Sequence, residues 1–78
     1  MLKDLVDYLA KSLVDKPDRV SVTEVVKDGN TLLYELRVDK EDIGKVIGKK
    51  GRTAQSIRTL LAAAGNKIGK RVNLEIIE

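Results

Sequence analysis

Ile43-Gly44-Lys45-Val46-Ile47-Gly48-Lys49-Lys50-Gly51-Arg52 is the stretch that decides how this chain folds. Ile43, Val46 and Ile47 have the three- and four-residue spacing of one helix face. Gly48 and Gly51 lie just beyond them, and a glycine inside a helix costs about 1 kcal/mol relative to alanine, so the helix is short and the chain turns. After the turn Ala54, Ile57, Leu60, Leu61 and Ala64 recur at helical spacing opposite Gln55, Arg58, Thr59 and Ala62, with Gly65 and Asn66 as the expected stop. Upstream, Asp39 stands as an N-cap, with Glu41 and Asp42 in a first turn where carboxylates meet the positive end of the helix dipole.

Outward from this pair of helices the patterns change. Leu2, Leu5, Val6, Leu9 and Leu13 form the stripe of an amphipathic helix over residues 2 to about 14, and Pro17 forces its end near Lys16. Residues 19–27 are rich in Val and Thr and read as a strand, closed by the turn residues Asp28, Gly29 and Asn30. In the returning strand Leu32, Tyr34, Leu36 and Val38 alternate with Leu33, Glu35 and Arg37. A last strand shows Val72, Leu74 and Ile76 alternating with Asn73 and Glu75. The expected class is α+β, in the order helix, strand, strand, helix, helix, strand. The three strands form a mixed sheet in the order 1-2-3, with strands 1 and 2 an antiparallel hairpin and strands 2 and 3 parallel across a two-helix crossover. Three helices are expected on one face, within a single domain over residues 1–78.

Composition narrows the function. There is no cysteine and no histidine, so thiolate metal sites, disulfides and the commonest general base are missing, and no cofactor or metal is expected. No apolar run approaches the roughly 18 residues of a membrane span. Met1 to Leu13 is too interrupted by charge for a secretory signal, which makes the cytoplasm the expected compartment. The net charge is only +3, but residues 43–74 hold eight basic side chains (Lys45, Lys49, Lys50, Arg52, Arg58, Lys67, Lys70, Arg71) and no acidic one. Such a stretch produces a local positive field that attracts a polyanion.

Gly48, Lys49, Lys50 and Gly51 then have a physical use as a unit. Glycine lets backbone approach a ligand closely. The helix that follows aims its unpaired N–H groups at the turn, and lysines supply charge without fixed geometry, which suits phosphates gripped regardless of base. A nucleotide-binding P-loop fits less well: Gly44 and Gly48 are separated by three residues rather than four, and Lys50 occupies the place of the required Ser or Thr. A small hydrolase built on Asp39, Glu41 and Asp42 has no nucleophile-base pair, and capping accounts for those carboxylates, so no catalytic residues are assigned.

Ile43 to Arg52, followed by Ile57, resembles the KH-domain signature I-G-x-x-I-G-x-x-G-x-x-I, and the element order resembles the type II, bacterial-style KH fold. The resemblance covers the whole chain and extends to the small stand-alone bacterial KH proteins of the KhpA group. It implies single-stranded RNA as partner, a role as RNA chaperone or post-transcriptional regulator, and pairing as a homodimer or with a KH protein of the KhpB (Jag) type, linked in bacteria to cell shape. It implies Gly48, Lys49, Lys50 and Gly51 as the backbone clamp, with Gly44, Lys45 and Ile47 along the groove wall and Arg52 at the start of the next helix. Val38 and Leu36 are candidates for the aliphatic floor, Leu36 being the better read as core. Tyr8 and Tyr34, the only aromatics, lie outside the clamp, so base stacking of the RRM kind is not expected. The competing function is a KH platform for proteins or the ribosome with incidental RNA contact, against which the intact clamp argues. On the helical wheel Leu60 falls at the margin of the apolar arc beside Thr53, Ser56 and Ala63, where a second copy could pack.

Overall fold

Pro17 shapes the first departure from the expected pattern in the computed structural model, which describes residues 2–77. Helix α1 (Leu2–Leu13) ends as anticipated. The fixed φ of proline suits the first position of a helical turn, so Pro17–Arg19 forms one turn of 3-10 helix, closed by Val20 N–H donating to the Pro17 carbonyl at 3.2 Å. The turn consumes residues 19 and 20, and strand β1 is Ser21–Val26 rather than 19–27.

Thr31 N–H donates to the Asp28 carbonyl at 2.8 Å and Lys27 N–H to the Thr31 carbonyl at 2.9 Å, which returns the chain as β2 (Thr31–Arg37). Short helix α2 (Ile43–Ile47), long helix α3 (Arg52–Lys67) and β3 (Arg71–Ile77) follow. The sheet order is β1-β2-β3, with β1 and β2 antiparallel and β2 and β3 parallel. This is the α+β arrangement of a type II KH fold, and β3 is an edge strand.

Pairing places Val22, Leu36 and Ile76 in one row across the sheet, Glu24, Tyr34 and Leu74 in the next, and Val26, Leu32 and Val72 in the third. On this face the sheet meets Val6 and Ala10 of α1 and Ile57 and Leu61 of α3 in one buried cluster. Tyr34 is the largest side chain in it. A buried phenol needs a partner, and its hydroxyl donates to Glu24 Oε1 at 2.7 Å. Burial first, and then the Glu24 carboxylate, push the Tyr34 pKa up, so the group stays a neutral donor.

The second departure is the end of α3, which runs through Gly65 and Asn66 to Lys67. Gly65 is not a stop. It is buried against β3, where a Cβ would lie 2.6 Å from Val72 Cγ2 and 2.7 Å from the Lys70 carbonyl oxygen, so the glycine allows helix and strand to touch. The chain turns at Gly69, and Lys70 N–H returns to the Gly65 carbonyl at 2.8 Å. Among the described residues no helix is long and apolar enough to cross a membrane.

Candidate nucleic-acid interface

The site begins with the carboxylates before α2. Asp39 Oδ1 accepts from Glu41 N–H at 2.9 Å, capping a 3-10 turn over Lys40–Asp42. That hydrogen bond, with Lys16 and Arg19 nearby, holds the Asp39 carboxyl below its ordinary range despite some desolvation. Lys16 pairs with Glu41 at 2.9 Å and with Asp39 at 3.7 Å, and its pKa is raised, first by the Glu41 hydrogen bond.

Asp42 has a role beyond the expected one. It lies in the first turn after the Asp39 cap, as the sequence predicts, but its side chain does not cap α2. It is 1% exposed and turns back to the chain leaving α1. There its two oxygens accept from Asp15 N–H at 3.3 Å and Lys16 N–H at 3.0 Å. Lys45 closes the group, 3.1 Å from Asp15 and 3.7 Å from Asp42, with its pKa raised chiefly by the Asp15 hydrogen bond. A carboxylate more than twenty residues away in sequence therefore engages one of the eight basic residues of the carboxylate-free stretch.

After Ile47 the chain makes its tight turn. Gly48 N–H donates to the Gly44 carbonyl at 2.9 Å and Gly51 N–H to the Gly48 carbonyl at 3.2 Å. Gly48 has φ +78° and ψ 176°, a conformation open in practice to glycine alone. A Cβ there would also collide with Thr53 Oγ1 and lie 2.6 Å from Thr53 Cβ. Lys50 (φ 58°, ψ 27°) and Gly51 (φ 75°, ψ 12°) are consecutive left-handed residues, and Lys50 is the one non-glycine of positive φ among the described residues. The turn thereby projects Lys49 and Lys50 into solvent. Among the described residues neither they nor Arg52 form an ion pair. No side chain caps the N-terminus of α3, but its first N–H, that of Arg52, is already taken by the Lys49 carbonyl, so the helix start offers fewer free donors than the sequence leads one to expect.

Beside the turn runs a cleft of about 610 Å³. One wall is Ile47, Gly51, Ala54 and Arg58; the other is Asn73, Leu74, Glu75 and Ile76 of β3, with Lys27 and Leu33 reaching its rim. Two smaller clefts continue it between α3 and β3, sharing Asn73, as far as Gly69, Lys70 and Arg71. The result is one groove along the free edge of the sheet, with the lysine turn at its mouth.

Of the residues singled out by sequence, Ile47 and Gly51 line this groove, while Gly48, Lys49, Lys50 and Arg52 flank those two in the chain without lining it. Gly44 and Lys45 are exposed on α2 but do not line it. Val38 packs against the core cluster and Leu36 is fully buried within it, and neither lines the cleft, whereas Leu74, itself a core residue, and the partly buried Ile76 do. Those two, with Ala54 and Arg58, were not among the residues singled out by sequence, although a central β2 implies that β3 is the edge beside the second long helix.

Residues 3–76 match the family model described as KhpA/KhpB, KH domain. The chain is 57% identical over 77 residues to the RNA-binding protein KhpA of Aquifex aeolicus, covering 99% of this chain and 96% of that protein. It is 54% identical to the KhpA of Clostridium perfringens, covering 97% and 100%. Among solved structures it resembles Era in complex with MgGDPNP and nucleotides 1506–1542 of 16S ribosomal RNA, with a TM-score of 0.56 and 27% identity. That likeness covers 95% of this chain and 28% of Era.

Proposed function

Since this chain belongs to the KhpA/KhpB KH-domain family, we propose that it is a single-stranded RNA-binding protein, an RNA chaperone or post-transcriptional regulator acting in the cytoplasm by binding rather than catalysis. The observation that carries the proposal is the turn from Gly48 to Gly51, which presents two exposed lysines, in no ion pair among the described residues, next to a groove of mixed apolar and polar lining. The turn holds the sugar-phosphate backbone, and the bases fall toward Leu74 and Ile76. The names of the relatives and the ribosomal RNA bound by Era are consistent with this reading.

The test is a titration of short single-stranded RNA at increasing salt. Two to four neutralised phosphates give a slope of log affinity against log salt of about −1.4 to −2.8. A salt-independent affinity would instead favour a protein-docking platform.

We also propose that the chain pairs through the outer face of α3, with a second copy or with a KhpB-type KH protein. Leu60 is 53% exposed there, with Ser56 and Ala63 also exposed on the same helix. Leu60→Asp is expected to leave a folded monomer where the parent is a dimer by light scattering. A parent that stays monomeric at high concentration removes this interface.

A further inference from the structure

Helix α3 turns one narrow, uncharged wall toward the far part of the groove. Gln55, Thr59, Ala62 and Asn66 follow one another at helical spacing and line the clefts between α3 and β3. This wall leads away from the lysine turn to a second concentration of positive charge. Lys70 and Arg71 line the last cleft, of about 510 Å³, and Lys67 lies exposed beside Asn66 at the end of the helix. From Arg52 to Lys67 the axis of α3 runs about 22 Å, so the two basic sites stand at opposite ends of one groove. Resting on the RNA-binding reading, we propose that Lys67, Lys70 and Arg71 form a second phosphate-binding site, which holds the RNA strand after it has run the length of α3.

Charge, anchored backbone and distance support the assignment. Among the described residues none of the three cations is in an ion pair. Lys70 Nζ donates to the Gly29 carbonyl at 3.1 Å and Arg71 N–H to the Asn30 carbonyl at 2.7 Å, so both residues are tied to the hairpin turn. Asp28, the carboxylate of that turn, is exposed and pairs with none of them. A helix C-terminus ordinarily repels an anion through its unpaired carbonyls. Here the Gly65 carbonyl accepts from Ile68 N–H and Lys70 N–H, and the Asn66 carbonyl from Gly69 N–H, which occupies part of that end. Lys67 complements the helix dipole in any case, but Lys70 and Arg71 lie past the helix and line the cleft itself. A stacked strand rises about 3.4 Å per nucleotide, so 22 Å takes about six steps, and a stretched strand takes fewer. The turn clamps about four nucleotides. A tetranucleotide therefore engages the turn alone, while a decanucleotide reaches both ends.

The experiment compares tetrauridylate with decauridylate by fluorescence anisotropy. The proteins are wild type, the double variant Lys67→Gln with Arg71→Gln, and the triple variant that adds Lys70→Gln. The double variant leaves the Lys70 anchor to Gly29 in place, and its melting temperature should match wild type. In wild type, log affinity should fall with log salt more steeply for the decamer than for the tetramer by about 1.4–2.1, which is two to three contacts at about 0.7 each. The triple variant should lose about tenfold in affinity for the decamer and nothing for the tetramer, and its two salt slopes should converge. The ratio of decamer to tetramer affinity is compared between proteins, so the larger number of binding registers on the longer strand cancels. Equal salt slopes for the two oligomers in wild type, or variants that weaken both oligomers alike, overturn the second site and leave these cations as a general positive field. Wild type that binds neither oligomer removes the RNA reading itself, and this site with it.

Discussion

Lys49→Asp with Lys50→Asp is expected to lower affinity for short single-stranded RNA about a hundredfold or more while the melting curve stays in place. A hydrogen bond to a charged group is worth about 1.5–3 kcal/mol, so each lost lysine contact costs roughly tenfold, and the new carboxylates repel the phosphates besides. Both side chains are exposed and neither is in an ion pair among the described residues. Folding is therefore little affected, since surface changes of this kind usually stay within about 0.5 kcal/mol. The backbone supports the same expectation. Lys50 is left-handed, and aspartate is among the residues that visit that region most readily. Filter binding or fluorescence anisotropy, with thermal melting alongside, checks both halves. Unchanged affinity in a folded double variant would show that the turn does not hold the RNA.

The largest stability effect is expected at a residue with no RNA contact. Asp42→Ala removes the acceptor of Asp15 N–H and Lys16 N–H and the buried counter-charge of Lys45. Asp42 is buried but Asp15, Lys16 and Lys45 reach solvent, so the freed donors can be hydrated and the loss is that of hydrogen bonds to a charged acceptor, about 1.5–3 kcal/mol, rather than that of a fully buried ion pair. A loss near 2 kcal/mol lowers the melting temperature of a domain this size by roughly 8–16 °C. Glu41→Ala is the control. It also loses a pairing with Lys16, but at an exposed site, where such pairs are worth about 0–1 kcal/mol. Urea denaturation of the two variants separates them, and equal, small losses would mean that Asp42 does not secure the approach to α2. Because α2 leads into the lysine turn, RNA affinity should weaken in Asp42→Ala as well.

These two positions mark where sequence was informative and where it was not. The turn was legible because its signals are local: paired glycines, lysines between them, helix patterns on either side. The strand order followed from the hairpin residues at Asp28 to Asn30 and from the length of the crossover. Asp39 as cap with Glu41 and Asp42 in the first turn was equally legible, but the local rule says nothing of the further partners of Asp42. What Asp42 does depends on the chain after α1 lying beside it, and no spacing rule carries that information. Gly65 was misread for a related reason: a glycine required by a neighbouring strand looks, in one dimension, like a glycine that ends a helix. Val38 and Leu36 stand out in sequence as floor candidates, Leu36 with core as its better reading, because β2 leads into the signature; the cleft in the structure is lined instead by Leu74 and Ile76 of the edge strand β3.

The contact of Gly65 with Val72 also sets how closely the two walls of the groove can approach at one end. Helix α3 and strand β3 touch there because glycine has no side chain to hold them apart, and the clefts between them run from that end past Asn73 to the residues beside the lysine turn. A residue at one end of α3 thus belongs to the same wall as the turn at the other. Any side chain at position 65 would have to displace Val72 or the Lys70 carbonyl, and with them the start of the strand that forms the opposite wall.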